Sequence, residues 1–182
     1  MAAQQPVQAE DQDPPPPAEG QEQQKPNITS VSVDGTQYST MEYIQYFGDQ
    51  PLHWVADAEA EAQGMLVAYT TEENVDATLG VQSLGEDEAI ARTASAASPL
   101  LYDGIFFTGR SWRVQRNIAN LGKFNDLTSS VNTSGATIRL YEIENYQGCS
   151  LTITGKDRTL LNNFCRPFQT WNDRASSVKI LR

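Results

Sequence analysis

The 182-residue sequence predicts a mainly β protein. Residues 98–182 are expected to form an eight-stranded double Greek-key β-sandwich, preceded by a small α+β module and a disordered N-terminal segment. Three observations predict this. A two-part motif recurs, in the same order, in the C-terminal half. Short runs of alternating apolar and polar residues lie between its copies. The charge changes sign along the chain: residues 1–97 hold 17 acids and 2 bases, net −15, and residues 98–182 hold 6 acids and 11 bases, net +5. The overall −10 thus divides between two parts of different chemistry. No apolar run approaches the ~20 residues of a membrane span. One histidine and two cysteines exclude a zinc finger, a His-rich metal site and a dense disulfide framework.

Residues 1–26 contain Pro6, Pro26, the run Pro14 to Pro17 and seven glutamines, with almost no apolar residue beyond Val7 and alanines. Such a segment buries too little surface to offset its ordering entropy, so it is expected to be disordered, a tether rather than a polyproline ligand. No apolar stretch of the signal-peptide kind follows Met1. The expectation is a mature secreted form carrying an added initiator Met, with a cytoplasmic protein as the alternative.

Residues 27–80 read as the α+β module. Ile28, Val31 and Val33 alternate with polar residues up to the turn signal Asp34-Gly35. Ser39 and Glu42 form a capping box that opens a helix from Met41 to Phe47, closed by Gly48. His53 to Ala56 and Met65 to Tyr69 are expected strands on either side of an acidic, alanine-rich turn. Thr71 caps a second helix through Leu79. Fifty residues make a thin core, so the module is expected either to stand marginally or to pack on something else. His53, beside Trp54 in an apolar strand with no nucleophile elbow nearby, reads as structural. Residues 81–97 read as a linker with a frayed helix around Glu86 to Ala94.

The repeat has two linked signals. Tyr102, Phe107 and Gly109 are answered at the same spacing by Tyr141, Tyr146 and Gly148. Phe124 to Val131 (FNDLTSSV) is answered by Trp171 to Val178 (WNDRASSV). Gly109 and Gly148 suit tight hairpins that need positive φ, and the aromatics can pack across them. Trp112, Val114 and Arg116 alternate onto one strand face, as do Leu151 with Ile153, Ile138 with Leu140 and Val178 with Ile180. Four strands per copy and two copies give the sandwich.

On these residues, segment 98–182 resembles the βγ-crystallin family, specifically its microbial calcium-binding type. That family's double-clamp calcium motif is Asn/Asp, Asn/Asp, any, any, Ser/Thr, Ser. Both copies here are complete: Asn125, Asp126, Leu127, Thr128, Ser129, Ser130, and Asn172, Asp173, Arg174, Ala175, Ser176, Ser177. The resemblance implies two Ca²⁺ sites with exchanged ligands. Side-chain oxygens would come from Asp126 and Asp173, hydroxyls from Ser129 and Ser176, and carbonyls from Leu127, Arg174, Ile105 and Glu144. Asn125, Ser130, Asn172 and Ser177 would support the loops. Ca²⁺ takes six to eight oxygen ligands of these types. The Arg174 charge is expected to weaken one site relative to the other.

The copies differ in length: Gly109 to Asn125 spans 16 positions and Gly148 to Asn172 spans 24. The extra residues lie around Leu161 to Thr170 and include Cys165, while Cys149 follows the hairpin glycine. A Cys149–Cys165 disulfide would pin the insertion to the sheet edge, contributing about 3 kcal/mol in the chain-entropy picture. Two buried thiols are the alternative. The function expected is a non-enzymatic, secreted, monomeric calcium-binding protein, Ca²⁺ stabilising the fold. Alternatives on the same fold are a secreted metallopeptidase inhibitor, with a peptidase as partner, and a killer-toxin-like antimicrobial protein. No Ser/His/Asp or Cys/His set, phosphate loop or nucleic-acid surface is legible. The acidic arm, residues 27–97, is expected either to fold back over a basic surface that includes Arg110, Arg113 and Arg116 or to remain a solvated leash.

Overall fold

The computed structural model describes residues 27–48, 50–85, 98–166 and 169–181. The segment 1–26, expected to be disordered, and the helix expected around Glu86 to Ala94 lie outside the described residues. The chain opens with a hairpin of β1 (Ser30–Val33) and β2 (Thr36–Ser39). Its two-residue turn, Asp34 at φ +48° and Gly35 at φ +80°, is positive at both positions, as the strand twist requires. Helix α1 (Thr40–Phe47) starts on the capping box: Ser39 Oγ accepts from the Glu42 N–H, and Glu42 accepts from the Ser39 N–H. Strand β3 (His53–Val55), helix α2 (Ala58–Ala62) and strand β4 (Met65–Tyr69) follow. Helix α3 (Glu72–Leu79), capped by Thr71 and closed by Gly80 in the left-handed region, completes the module.

One element differs from expectation. The acidic, alanine-rich turn between β3 and β4 is helix α2. Asp57 accepts from the N–H groups of Glu59 and Ala60, so a local cap converts the alternating Ala-Glu run into a helical turn and a half. Gly64, at φ +76°, ends it against the Asn27 carbonyl, where a Cβ would stand 2.7 Å from that oxygen.

The C-terminal part comprises β5 (Leu100–Tyr102), β6 (Ser111–Arg113), β7 (Ser130–Ile143), β8 (Gln147–Asp157), β9 (Phe164–Arg166), β10 (Gln169–Thr170) and β11 (Ser177–Leu181). Strand β7 links the two copies of the repeat. Its register against β8 jumps between Asn132 and Thr137, where Ser134 and Gly135 take positive φ. Before the bulge β7 pairs with β5; after it, with β11. This crossing is the double Greek key. The third strand of the first copy is reduced to a bridge between Ile118 and Val178. The insertion forms a 3₁₀ turn at Leu160–Asn162 and the β9–β10 pair, bound to β8 by the Cys149–Cys165 disulfide, with Cα atoms 5.8 Å apart.

Module and sandwich share one sheet, ordered β2-β1-β4-β3-β8-β7-β5-β6, with β11 also on β7. The junction is a parallel pairing of β3 with β8, His53 opposite Ser150 and Val55 opposite Thr152. Trp54, 2% exposed, donates its indole N–H to the Cys165 carbonyl at 3.1 Å. One buried cluster runs from Val31, Tyr43 and Leu66 through Trp54 to Leu151, Ile138 and Trp171.

The docking surface also differs from expectation. Arg113 and Arg116 are exposed, and Arg110 pairs with Asp103 of its own hairpin at 2.6 Å. The acidic module meets Arg139 of β7 instead. That side chain has no exposed surface and reaches Glu72 at 3.2 Å and Asp76 at 2.5 Å, both on α3. Net charge favoured a basic partner, but the unpaired β8 edge and Arg139, the one buried arginine among the described residues, selected it.

Candidate metal centre

The two motif loops, 125–130 and 172–177, lie antiparallel and exchange bonds. The Asp126 N–H donates to the Ala175 carbonyl at 3.0 Å, and the Asp173 N–H to the Thr128 carbonyl at 2.9 Å. Both aspartates sit in the left-handed region, φ +54° and +55°. Asp tolerates this conformation better than most residues, and it aims both carboxylates outward; both residues are exposed.

The side chains cross in the same way. The Ser129 hydroxyl donates to Asp173 Oδ1 at 2.9 Å, and the Ser176 hydroxyl to Asp126 Oδ1 at 3.3 Å. Each loop therefore supplies a hydroxyl to the other loop's carboxylate. Asn125 and Asn172 each donate an amide N–H to Oδ2 of the adjacent aspartate, at 3.0 and 2.7 Å. Their amide oxygens, and the Thr128 hydroxyl, are buried without a hydrogen-bond partner.

Ser130 and Ser177 bind hairpins rather than the other loop. Ser130 donates to the Gly104 carbonyl at 2.7 Å and accepts from the Phe107 N–H. Ser177 donates to the Ile143 carbonyl at 2.7 Å and accepts from the Tyr146 N–H. The hairpins are copies of one another: Phe106, Phe107, Asn145 and Tyr146 all have positive φ. In each, the leading tyrosine packs on the second aromatic with centroids 5.6 Å apart. At Gly109 a Cβ would lie 2.2 Å from Asp103 Oδ1.

The remaining expected ligands are placed as follows. Leu127 and Arg174 follow the two aspartates directly. The Ile105 carbonyl accepts from the Thr108 hydroxyl at 2.7 Å, and the hairpin carbonyl within reach of the Ser129 hydroxyl is that of Asp103, at 3.3 Å. Glu144 is exposed at the tip of the second hairpin.

Each half thus offers a carboxylate, a hydroxyl from the opposite loop and nearby carbonyls. These are hard oxygen donors without His or Cys, a set suited to Ca²⁺ rather than zinc or copper. The Asp–Ser separations of 2.9 and 3.3 Å are hydroxyl–carboxylate hydrogen bonds, which bring one oxygen from each loop together at each pair.

A second donor cluster among the described residues, Glu142 with Cys149 and Cys165, has both sulfurs joined in the disulfide. His53 Nδ1 lies 2.9 Å from Ser150 Oγ, but Ser150 has no exposed surface and burial lowers the His53 pKa. The pair pins β3 to β8. Sequence reasoning passed over the acid that follows each leading tyrosine, Asp103 and Glu142. Its signal was its recurrence at the same place in both copies.

Neither protein-family models nor curated proteins give a match. Among solved structures, residues making up roughly half of the chain are similar to three βγ-crystallins. An archaeal one is 24% identical, with a TM-score of 0.40, over 47% of this chain and 98% of that one. A domain from Flavobacterium johnsoniae is 27% identical, with a TM-score of 0.39, over 46% of this chain and 92% of that one. A domain from Clostridium beijerinckii is 28% identical, with a TM-score of 0.38, over 46% of this chain and 95% of that one. The crossed loops, paired tyrosine hairpins and strand exchange described above are themselves a βγ-crystallin-like arrangement.

Proposed function

We propose that this chain, βγ-crystallin-like in residues 98–182, is a non-enzymatic protein that binds two calcium ions and is stabilised by them. The observation that carries the reading is the reciprocal pairing of Ser129 with Asp173 and Ser176 with Asp126. Calcium would supply a divalent charge at each pair, cross-linking one Greek key to the other. The chain's own residues prepare the place. Asp126 and Asp173 hold carboxylates at the surface, Asn125 and Asn172 orient them, and Ser130 and Ser177 fasten each loop to its hairpin. With about one carboxylate per ion, affinity falls at roughly 10⁻⁶ to 10⁻³ M. The Cys149–Cys165 bridge supports an oxidising compartment and secretion.

Thermal unfolding with Ca²⁺, Mg²⁺ or EDTA tests this. Ligand at a hundredfold excess over Kd stabilises by about 2.7 kcal/mol per site. In a unit of this size, two filled sites raise Tm by about 10–20 °C. Mg²⁺, which demands a tight octahedral shell, does much less. Trp171, directly before the second loop, reports binding there by its fluorescence. A Tm indifferent to Ca²⁺ and EDTA alike would overturn the reading.

A further inference from the structure

The second loop carries a positive charge where the first carries none: Arg174 follows Asp173, and Leu127 follows Asp126. A guanidinium at that point repels a divalent cation and competes for the aspartate. It is held elsewhere. Arg174 Nε donates to the Thr170 carbonyl at 3.1 Å, and Nη1 donates to Glu142 Oε1 at 3.3 Å. The Asp173 carboxylate keeps Ser129 and Asn172 as its hydrogen-bond partners.

Glu142 is built in for this. Its side chain is only 12% exposed, and the same Oε1 receives the Arg166 guanidinium. The other oxygen, Oε2, is buried without a hydrogen-bond partner. Arg166 adjoins Cys165, which the disulfide ties to β8 and whose carbonyl takes the Trp54 indole N–H. The insertion that lengthens the second copy thereby delivers the residue that fixes Glu142. In the first copy the equivalent acid, Asp103, closes its own hairpin on the Arg110 N–H and Nε, both at 2.6 Å, and Leu127 needs no counter-charge.

We propose that Glu142 is a positioning residue for the second calcium site: it draws the Arg174 guanidinium off Asp173 and offsets its charge, so that the second loop retains affinity for a divalent cation. This rests on the calcium reading above. Without the carboxylate, Arg174 is free to pair with Asp173 or to face the ion.

The experiment is a calcium titration of the full chain by calorimetry, with Trp171 fluorescence reporting the second loop. Glu142→Gln is expected to weaken the second site about tenfold, and the first by no more than about twofold, from the release of one unit charge near a dication. The deficit shrinks at high ionic strength. The double variant Glu142→Gln with Arg174→Gln recovers the affinity, which a merely structural role for Glu142 does not predict. If Glu142→Gln fails to fold, Arg174→Gln alone decides: because Glu142 already offsets the guanidinium, a second site unchanged within about twofold supports the proposal, and a several-fold tighter one, which would mean that the charge still acts on the ion, overturns it. Wild-type protein that binds two ions with Glu142→Gln indistinguishable from it overturns this proposal alone. Wild-type protein that binds no calcium overturns the functional reading, and this inference with it.

Discussion

Asp126 and Asp173 each receive the hydroxyl of the opposite loop, so neither belongs to one copy of the repeat. Asp126→Ala and Asp173→Ala are each expected to weaken calcium binding at both positions. A titration in which one variant leaves one site at wild-type affinity would show two independent loops. A second residue-scale effect is pH. Glu61 on α2 faces a cleft of about 470 Å³ lined also by Asp57, Ala58, Lys156, Asp157, Arg158 and Asn162. Burial, then the charges of Asp157 and Asp57, push its carboxyl up from 4.5 to about 7. The folded state therefore holds a proton that the unfolded chain has released. The stability this confers is present below about pH 4.5 and is lost as pH rises to about 7. His53 acts oppositely, because burial lowers its pKa and acidification must charge it. Comparison with Glu61→Gln isolates the first effect. The variant's Tm advantage should grow between about pH 4.5 and 7 and then level off, and a pH-independent difference would refute the assignment.

At the scale of elements, α3 is fastened to the β7–β8 hairpin by charge. Arg139 Nε also donates to Thr152 Oγ1 at 2.8 Å, and the Tyr141 hydroxyl donates to Glu72 at 3.1 Å. Burial, with Glu72 next, raises the Tyr141 pKa. Removing one partner of such a buried set leaves the others uncompensated. The two acids keep 31% and 27% of their side-chain surface, so Arg139→Ala should sit near the lower end of the usual range, about 3 kcal/mol. Urea unfolding measures it, and a loss below about 1 kcal/mol would mean that apolar packing alone holds α3. Several elements were legible because their causes are local. The Asp34-Gly35 turn, the Ser39–Glu42 box and the Thr71 cap each close within four positions. Helix α2 was missed although its cap is equally local, because an alternating Ala-Glu run has no apolar periodicity to mark it.

For the whole molecule, a shared sheet and a continuous core make module and sandwich one folding unit. Calorimetric unfolding of the full chain should show a single transition with matching calorimetric and van't Hoff enthalpies. Two resolved transitions would mean that the β3–β8 junction couples weakly. Deleting residues 1–85 should lower Tm and promote association, since it strips β8 of its edge partner and uncovers Arg139, Tyr141 and Leu181.

The repeated Asn-Asp-x-x-Ser-Ser loops and the hairpin aromatics and glycines were legible in the sequence alone, and the cysteines as a candidate bridge with two buried thiols as the alternative. Each is a short-range pattern, and its repetition shows which positions answer one another. The tertiary structure decided three things that spacing does not encode. It set the module on the β8 edge rather than over Arg110, Arg113 and Arg116. It buried Arg139, Tyr141 and Leu181, on the face opposite Ile138, Leu140 and Ile180, because α3 and residues 81–85 cover that second face. It gave Arg174 to Glu142, 32 residues away, instead of to its neighbour Asp173. Local hydrogen bonds follow from neighbouring residues, whereas the choice among strand edges and charge partners depends on which distant groups the finished sheet brings within a few ångströms.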